Sequence, residues 1–497
     1  MNRPPPQPLK LLLNSAGIAI GEIPGNILIS QVTDDSRSVV KGALFVAVKG
    51  NKADGHRYVM EAVKQGATAV LSEEEMDCPS SVLQIRVPST RAKLGPLAAA
   101  FFGNPSGKLK LIGVTGTNGK TTVSWLIQRI LEGAGIPCGL IGTISYRCGD
   151  GEQVSSNTTP GAVALQTMLW EMVSRGLPAC SMEVSSHALD QDRTKGATWA
   201  CGVFTNLTPE HLDYHQTLEQ YLEAKLCLFK SLSAASTAVI NRDDPSWQSV
   251  KSATAARVLT YSLNEEADFR ALGIRSSLEG TDCFISSPEG RFPFSWGLLG
   301  RHNLENLLAA LGALNSCSVS IPEALRQAAS FQGVPGRLER IEAGQPFPVF
   351  VDYAHTDGAL RQVLQQLRIV TQKKIILVFG CGGDRDKTKR PRMGKVAAEF
   401  SDQIIVTSDN PRSENPGTIA EEVAGGLRGV AASWRIILDR KTAIQAALES
   451  ADEDSLVVIA GKGHETNQII GDRVIPFDDR QVARELLAGR QGVRVGK

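Results

Sequence analysis

Between residues 113 and 122 the chain reads GVTGTNGKTT, and these residue types at this spacing suit the cradling of a phosphate chain. Gly113, Gly116 and Gly119 permit tight turning, so that backbone N–H groups from Thr115, Thr117 and Asn118 face an anion at the start of a helix. Lys120 is placed to reach the terminal phosphates. Thr121 can offer its hydroxyl to Mg²⁺, and Thr122 follows it. The pattern departs from G-x-x-x-x-G-K-[ST], because Val114 stands where the first glycine belongs. The competing reading is a glycine turn with no nucleotide. The apolar run before it, LKLIGV, and the helical pattern after it, VSWLIQRILEGAG, favour the phosphate loop. Alone, the loop points to a nucleotide and does not separate motor, switch and ligase.

A second set of residues lies downstream. Glu183, at the end of the apolar run in SMEV, is either an ordinary strand-end charge or a carboxylate that meets the Mg²⁺ held by Thr121 and the phosphates. His211, in TPEHLDYH, is either a capping or core histidine or a further metal ligand. Lys225, on the apolar helical stretch YLEAKLCLF, reads as a snorkelling side chain or as a desolvated amine of lowered pKa. Such an amine reacts with CO₂, and the resulting carbamate is an anionic oxygen ligand.

The elements that must position these groups alternate strand and helix, which predicts an α/β chain of three domains. Residues 1–107 read as a small N-terminal α/β domain with a buried strand at 43–48, a helix at 58–67 and a strand after it. Residues 108–334 read as a central domain of the P-loop ATPase type with a mostly parallel sheet, closing on the apolar helix GRHNLENLLAALGAL. Residues 335–497 read as a C-terminal Rossmann-like domain in which KIILVFG, DQIIVTS and SLVVIAG each run into a polar turn. Strand carboxyl ends form the crevice of an open parallel sheet, so those three turns are expected to converge.

Composition limits the function classes. Lys plus Arg number 53 and Asp plus Glu 52, a net charge of +1 with no overall attraction to nucleic acid or an anionic membrane. The nine cysteines form no C-x-x-C pair and read as reduced core thiols. No stretch approaches the roughly 18 apolar residues of a membrane span, and MNRPPPQPLKLLLN resembles neither a signal nor a transit peptide. A cytoplasmic enzyme, acting as a monomer, is expected.

Taken together, GVTGTNGKTT, MEVSSHAL, TNL-x-x-x-HLDYH, YLEAK-x-x-LF, GRHNLENLLAA, VDYAHT, GCGGDRDKTKRPRM, SDNPR and GKGHE resemble the Mur ligases of peptidoglycan assembly over almost the whole chain. The resemblance implies ATP-dependent addition of meso-2,6-diaminopimelate to UDP-N-acetylmuramoyl-L-alanyl-D-glutamate through an acyl phosphate. It implies Lys120, Glu183, His211 and Lys225 as the catalytic group, with Thr121, Glu183, His211 and a carbamate on Lys225 holding Mg²⁺. Asn303, Arg337, Asp352 and His355 join the phosphate loop in binding ATP. Ser36, Asn51, Lys52 and Ala53 match the uridine-nucleotide site, while Asn157, Thr158, Thr159, Ser185, Gln191 and Arg193 match the part that holds the muramoyl dipeptide. Arg385, Asp409, Asn410, Pro411, Arg412, Gly461 and Glu465 match the diaminopimelate pocket, with Arg412 the cation for the distal carboxylate. Where the family reads DYAHTPD, this chain has Asp357 and Gly358 in the last two places. The alternatives are a sibling ligase adding L-lysine, a folylpolyglutamate-type ligase and a nucleotide-binding scaffold without catalysis.

Overall fold

The structure is a computed structural model and describes residues 4–19, 25–50 and 53–494. The chain folds into two compact units. The first comprises 1–272 with 285–292 and 304–328, and the second 273–284 and 293–303 with 329–497.

The first unit opens with a parallel four-stranded sheet in the order Gln31–Thr33, Ala43–Val46, Ala67–Ser72, Leu83–Arg86. Every residue of Ala43–Val46 is buried, as a parallel strand covered on both faces requires. Leu44 and Val46 pack with Leu94, Leu97 and Phe101 of helix Thr90–Phe101, whereas Ala43 and Phe45 pack on Val59 and Ala62. The helix expected at 58–67 is shorter, Val59–Lys64, because a 3-10 turn at Gly55–Tyr58 precedes it and strand Ala67–Ser72 follows at once.

The second sheet of this unit places Lys110–Thr115 between Ala179–Glu183 and Cys201–Phe204, all parallel. Cys138–Ile141 extends it on one side, and Thr237–Asn241 then Arg257–Ser262 on the other. The chain order reverses about Lys110–Thr115, so the carboxyl ends of three neighbouring strands open a crevice beside the phosphate loop. Helix Lys120–Gly133 leaves that loop and buries Val123, Leu126, Ile127, Ile130 and Leu131, the stripe of a helix lying on a sheet.

The second unit carries a six-stranded sheet in the order Glu339–Arg340, Val349–Asp352, Ser455–Ala460, Lys374–Phe379, Gln403–Val406, Ser433–Ile436. All neighbours are parallel except the first pair. Helices cover both faces: Leu360, Leu364, Leu367 and Val396 on one, Ile444, Leu448, Ala483 and Leu487 on the other. This is the Rossmann-like layering expected. Asp357, in the place of the family's proline, opens helix Asp357–Val370 behind the Thr356 cap. A carboxylate in the first turn meets the positive helix end, so the departure keeps the helix start intact.

Beneath the strand ends, Arg440 and Asp479 form an ion pair with both side chains fully enclosed, at 2.7 Å. Arg440 also donates to the carbonyls of Ala460 (2.9 Å) and Ser408 (3.3 Å), the residues just before Gly461 and Asp409. Asp479→Ala strands the guanidinium in the interior. A loss of about 3–5 kcal/mol follows, read as an earlier urea transition of this unit by tryptophan fluorescence at Trp434.

All nine cysteines are free thiols. Among the described residues no helix is long and apolar enough to cross a membrane.

Candidate active site

The phosphate loop takes the conformation that its glycines allow. Gly116 and Gly119 have φ of 147° and 88°, which L side chains rarely adopt. A Cβ at Gly116 would stand 1.8 Å from Thr205 Oγ1, and one at Gly119 2.4 Å from Asn306 Oδ1. Gly113 differs. It sits inside the sheet, paired with Met182 on one side and Gly202 on the other, and a Cβ there would meet the Trp199 ring at 2.7 Å. The glycine that breaks the common motif therefore serves packing in the strand, and the turn itself is made by the other two.

Lys120 folds back over the loop, its Nζ donating to the carbonyls of Gly116 (2.9 Å) and Thr117 (2.8 Å). Neighbouring segments hold the loop from outside: Asn118 N–H donates to Asn206 Oδ1 at 2.9 Å, and Thr205 Oγ1 donates to the Asn118 carbonyl at 2.6 Å. Thr122 lies in the first turn of the helix that Lys120 opens. Thr115 ends the strand with its side chain buried.

Glu183 is buried, and its carboxylate is met by three donors. Thr121 Oγ1 donates to Oε2 (2.9 Å), Thr143 N–H to Oε1 (2.7 Å) and Thr143 Oγ1 to Oε2 (3.1 Å). Thr143 was not legible in the sequence as a site residue. It lies in a turn of small residues, and only the fold brings it to the strand end. Around it Thr158, Thr159 and Ser185 assemble. Thr158 Oγ1 is 3.1 Å from Thr143 Oγ1, and Thr159 Oγ1 donates to the Glu183 carbonyl and accepts from Ser185 N–H. Arg193 donates to Gln191 Oε1 and to the Thr159 carbonyl. Asn157 is tied to Tyr146 through its backbone.

His211 and Lys225 meet at Tyr221. The Lys225 amine lies 4.1 Å from the Tyr221 ring centroid, and the His211 ring lies 6.2 Å from it. Tyr221 OH is 3.3 Å from Thr117 Oγ1, which links this group to the phosphate loop. Lys225 is 1% exposed, and no carboxylate among the described residues forms an ion pair with it. Burial, reinforced by the charge of Lys120, pulls the amine well below the usual lysine range. His187 stands 4.8 Å from His211, and burial pulls its imidazole below the ordinary value, with His211 and His215 adding to the effect.

Among the described residues no cluster of three or more His, Cys, Asp or Glu is arranged as a metal cage. Mg²⁺ does not need one. It is held by one or two carboxylates while keeping water and phosphate oxygens. Thr121 and Glu183, in direct contact, suit that role, and the Thr117–Tyr221 contact joins the loop to His211 and Lys225.

Beside the first sheet Ser36 Oγ donates to Glu61 Oε2 at 3.2 Å, and the Ala53 carbonyl accepts from Gly50 N–H. Asn51 and Lys52 lie outside the described residues.

The second unit brings its three turns together as expected. Arg412, at φ 51°, is fixed by backbone bonds to Ile469 O and from Gly471 N–H. Its Nη1 donates to the Gly383 carbonyl at 2.7 Å, while Nε and Nη2 make no hydrogen bond among the described residues. One edge of the guanidinium fork is thus tethered and another open. Asn410 Nδ2 donates to Glu465 Oε2 at 2.8 Å, and a Cβ on Gly461 would lie 2.5 Å from Asp409 Oδ2. A Cβ on Gly383 would be 1.9 Å from the Pro411 carbonyl, so glycine is required there for the two turns to touch. Arg385 is exposed and lies against the carbonyl of Asp384. Lys462, the lysine of GKGHE, is fully enclosed among these groups.

Nearby, Asp352 accepts from the N–H groups of Leu338 and Ala354, both at 2.7 Å. Arg337 lies 4.7 Å over the Tyr353 ring, and His355 and His464 flank that ring at 4.6 and 4.8 Å. Burial, with Arg337 beside it, pushes the His464 imidazole down to about 4. Asn303 Nδ2 donates to the Leu299 carbonyl at 2.7 Å. Asn306, one helical turn on, is the residue against Gly119.

Family models match in three consecutive stretches: the Mur ligase family catalytic domain over 28–102, the Mur ligase middle domain over 114–314, and the Mur ligase glutamate ligase domain over 336–463. A relative from Listeria monocytogenes, UDP-N-acetylmuramoyl-L-alanyl-D-glutamate--2,6-diaminopimelate ligase, is 40% identical over 493 residues, 98% of this chain and 99% of its own. The chain belongs to the Mur ligase family. A relative of the same name from Halalkalibacterium halodurans is 43% identical, covering 94% of this chain and 96% of its own. A solved structure of a ligase of that name matches with a TM-score of 0.71 at 34% identity, over 97% of this chain and 99% of that one. MurF from Acinetobacter baumannii, at 19% identity and a TM-score of 0.64 over 98% and 99% of the two chains, shares the Mur ligase fold.

Proposed function

We propose that this member of the Mur ligase family uses ATP to add meso-2,6-diaminopimelate to UDP-N-acetylmuramoyl-L-alanyl-D-glutamate. The observation that carries the amino-acid assignment is Arg412, whose free guanidinium edge beside Asn410 and Glu465 suits an amino acid bearing a second carboxylate. The relatives that match over nearly their full length carry that activity in their names. We read three domains, 1–107, 108–334 and 335–497, holding the uridine nucleotide, ATP and the amino acid in turn.

In this reading a substrate carboxylate attacks the γ-phosphorus of ATP, giving an acyl phosphate and releasing ADP. Lys120, released from its loop carbonyls, neutralises the phosphate oxygens as charge develops. Mg²⁺, held by Thr121, Glu183, His211 and a carbamate on Lys225, would supply further charge stabilisation at those oxygens. Enclosure favours the neutral Lys225 amine, the species that adds to CO₂ and loses a proton to leave the carbamate. Thr158, Thr159, Ser185, Gln191 and Arg193 orient the muramoyl peptide. The free amine of the amino acid attacks the acyl carbon, and the tetrahedral adduct expels phosphate and loses a proton to leave the amide.

The test is ADP release with UDP-N-acetylmuramoyl-L-alanyl-D-glutamate, meso-diaminopimelate being compared with L-lysine. Turnover with diaminopimelate and little with lysine is expected. Equal or faster turnover with lysine overturns the assignment.

A further inference from the structure

We infer that Lys462 is a positioning residue for amino-acid selection, holding Asn410 and Glu465 in the one arrangement that leaves a carboxylate oxygen open to the ammonium group of the incoming amino acid. The inference rests on the reading that the DNPR turn takes the amino acid.

Lysine is almost never fully buried unless its charge is paired, yet the Lys462 side chain is 0% exposed. Its Nζ donates to three acceptors: Glu465 Oε2 at 2.8 Å, Asn467 O at 2.7 Å and Asn410 Oδ1 at 3.2 Å. These come from three separate pieces of chain, namely the GKGHE turn, strand Asn467–Ile470 and the DNPR turn. An ammonium has three N–H groups, so the side chain is saturated and has none left for a ligand. It acts through its neighbours.

What it does to them follows from their hydrogen bonds. Asn410 Oδ1 accepts from Lys462 and from Ile469 N–H at 3.0 Å. Two donors aimed at one atom fix which end of the amide is oxygen, because a flipped amide would set its NH₂ against an ammonium and an N–H. The Nδ2 end is thereby turned toward Glu465, where it donates to Oε2 at 2.8 Å. Oε2 then carries two bonds, from Asn410 and Lys462, while Oε1 makes none among the described residues. Glu465 is 31% exposed at its side chain, so its open oxygen is reachable from outside while the lysine beneath it is not. The result is a carboxylate held from behind through one oxygen and bonded, through Asn410, to the turn that carries Arg412.

The experiment uses the full chain with ATP and the uridine-linked precursor. Wild type is run first with meso-diaminopimelate and with L-lysine. Failure of diaminopimelate there overturns the assignment under Proposed function, and the amino acid that wild type does use is carried forward. Lys462→Met is then expected to raise KM for that amino acid roughly tenfold or more, with KM for ATP and for the precursor within about twofold of wild type. An unchanged amino-acid KM, or an equal rise in all three KM values, overturns the inference. Should Lys462→Met fail to fold, Lys462→Arg is read instead, because it keeps the cation but not the three-way geometry of one nitrogen. The same one-sided rise is expected, and a wild-type amino-acid KM in that variant overturns the inference. A Lys462→Met, Glu465→Gln double-mutant cycle adds an independent readout. The two effects on amino-acid KM are expected to be less than additive, and strict additivity would show that Lys462 does not act through Glu465.

Discussion

Lys225→Arg is expected to lower kcat by about 10³-fold, the scale at which electrostatic stabilisation of a transferring phosphoryl group acts. The substitution keeps the charge and much of the length, so a lysine needed only as a cation would survive it. Its effect depends on the chemistry of the nitrogen. Enclosure and the nearby Lys120 pull the Lys225 amine well below the usual lysine range, which favours its neutral form. A guanidinium remains protonated and forms no carbamate. Two measurements check the idea: the rate of ADP release by the variant, and the ¹³C spectrum of the wild-type chain after incubation with ¹³C-bicarbonate. A carbamate carbon signal lost in Lys225→Arg is expected. Full activity in the variant sinks the role, and so does a wild-type spectrum without that signal.

The sequence made this lysine visible only through a pattern spread over the chain. By residue statistics alone Lys225 is a snorkelling side chain, and nothing local says that Tyr221, one helical turn away, carries its amine on the ring. The phosphate loop was legible because its chemistry is contiguous. A strand, three glycines, a lysine and a helix follow each other directly in the chain. The three apolar strands of the second sheet were legible for a related reason, since buried parallel strands are continuous apolar runs and their ends fall on one edge.

The residues that escaped are those whose partners are distant in the chain. Thr143 meets Glu183 across forty positions, and Lys462 meets Asn410 across fifty-two. A threonine in a turn and a lysine between two glycines carry no local mark of such contacts. Gly113 misled in the opposite direction: it stands beside the loop in sequence, yet Trp199, from a different segment, is what demands the absence of a side chain. Asn306 shows the same limit, since the register that puts it against Gly119 depends on how its helix lies on the sheet.

Arg412→Ala is expected to cut kcat/KM for meso-diaminopimelate by 10²-fold or more, because truncating one partner of an enclosed charge-assisted pair costs about 2–5 kcal/mol. The turn itself survives the change. Its backbone bonds to Ile469 and Gly471 do not involve the side chain, and Ala carries the same left-handed cost that Arg already bears at φ 51°. What disappears is the guanidinium, tethered by Nη1 to the Gly383 carbonyl and open along its other edge. An amino acid with a single carboxylate makes no use of that open edge, so L-lysine gains relative to diaminopimelate when it is gone. The decisive quantity is the ratio of kcat/KM for the two amino acids in wild type and variant, measured with ATP and precursor saturating. A ratio that falls by 10²-fold or so assigns the distal carboxylate to Arg412. A ratio that stays constant while both rates fall assigns the residue to the shape of the turn.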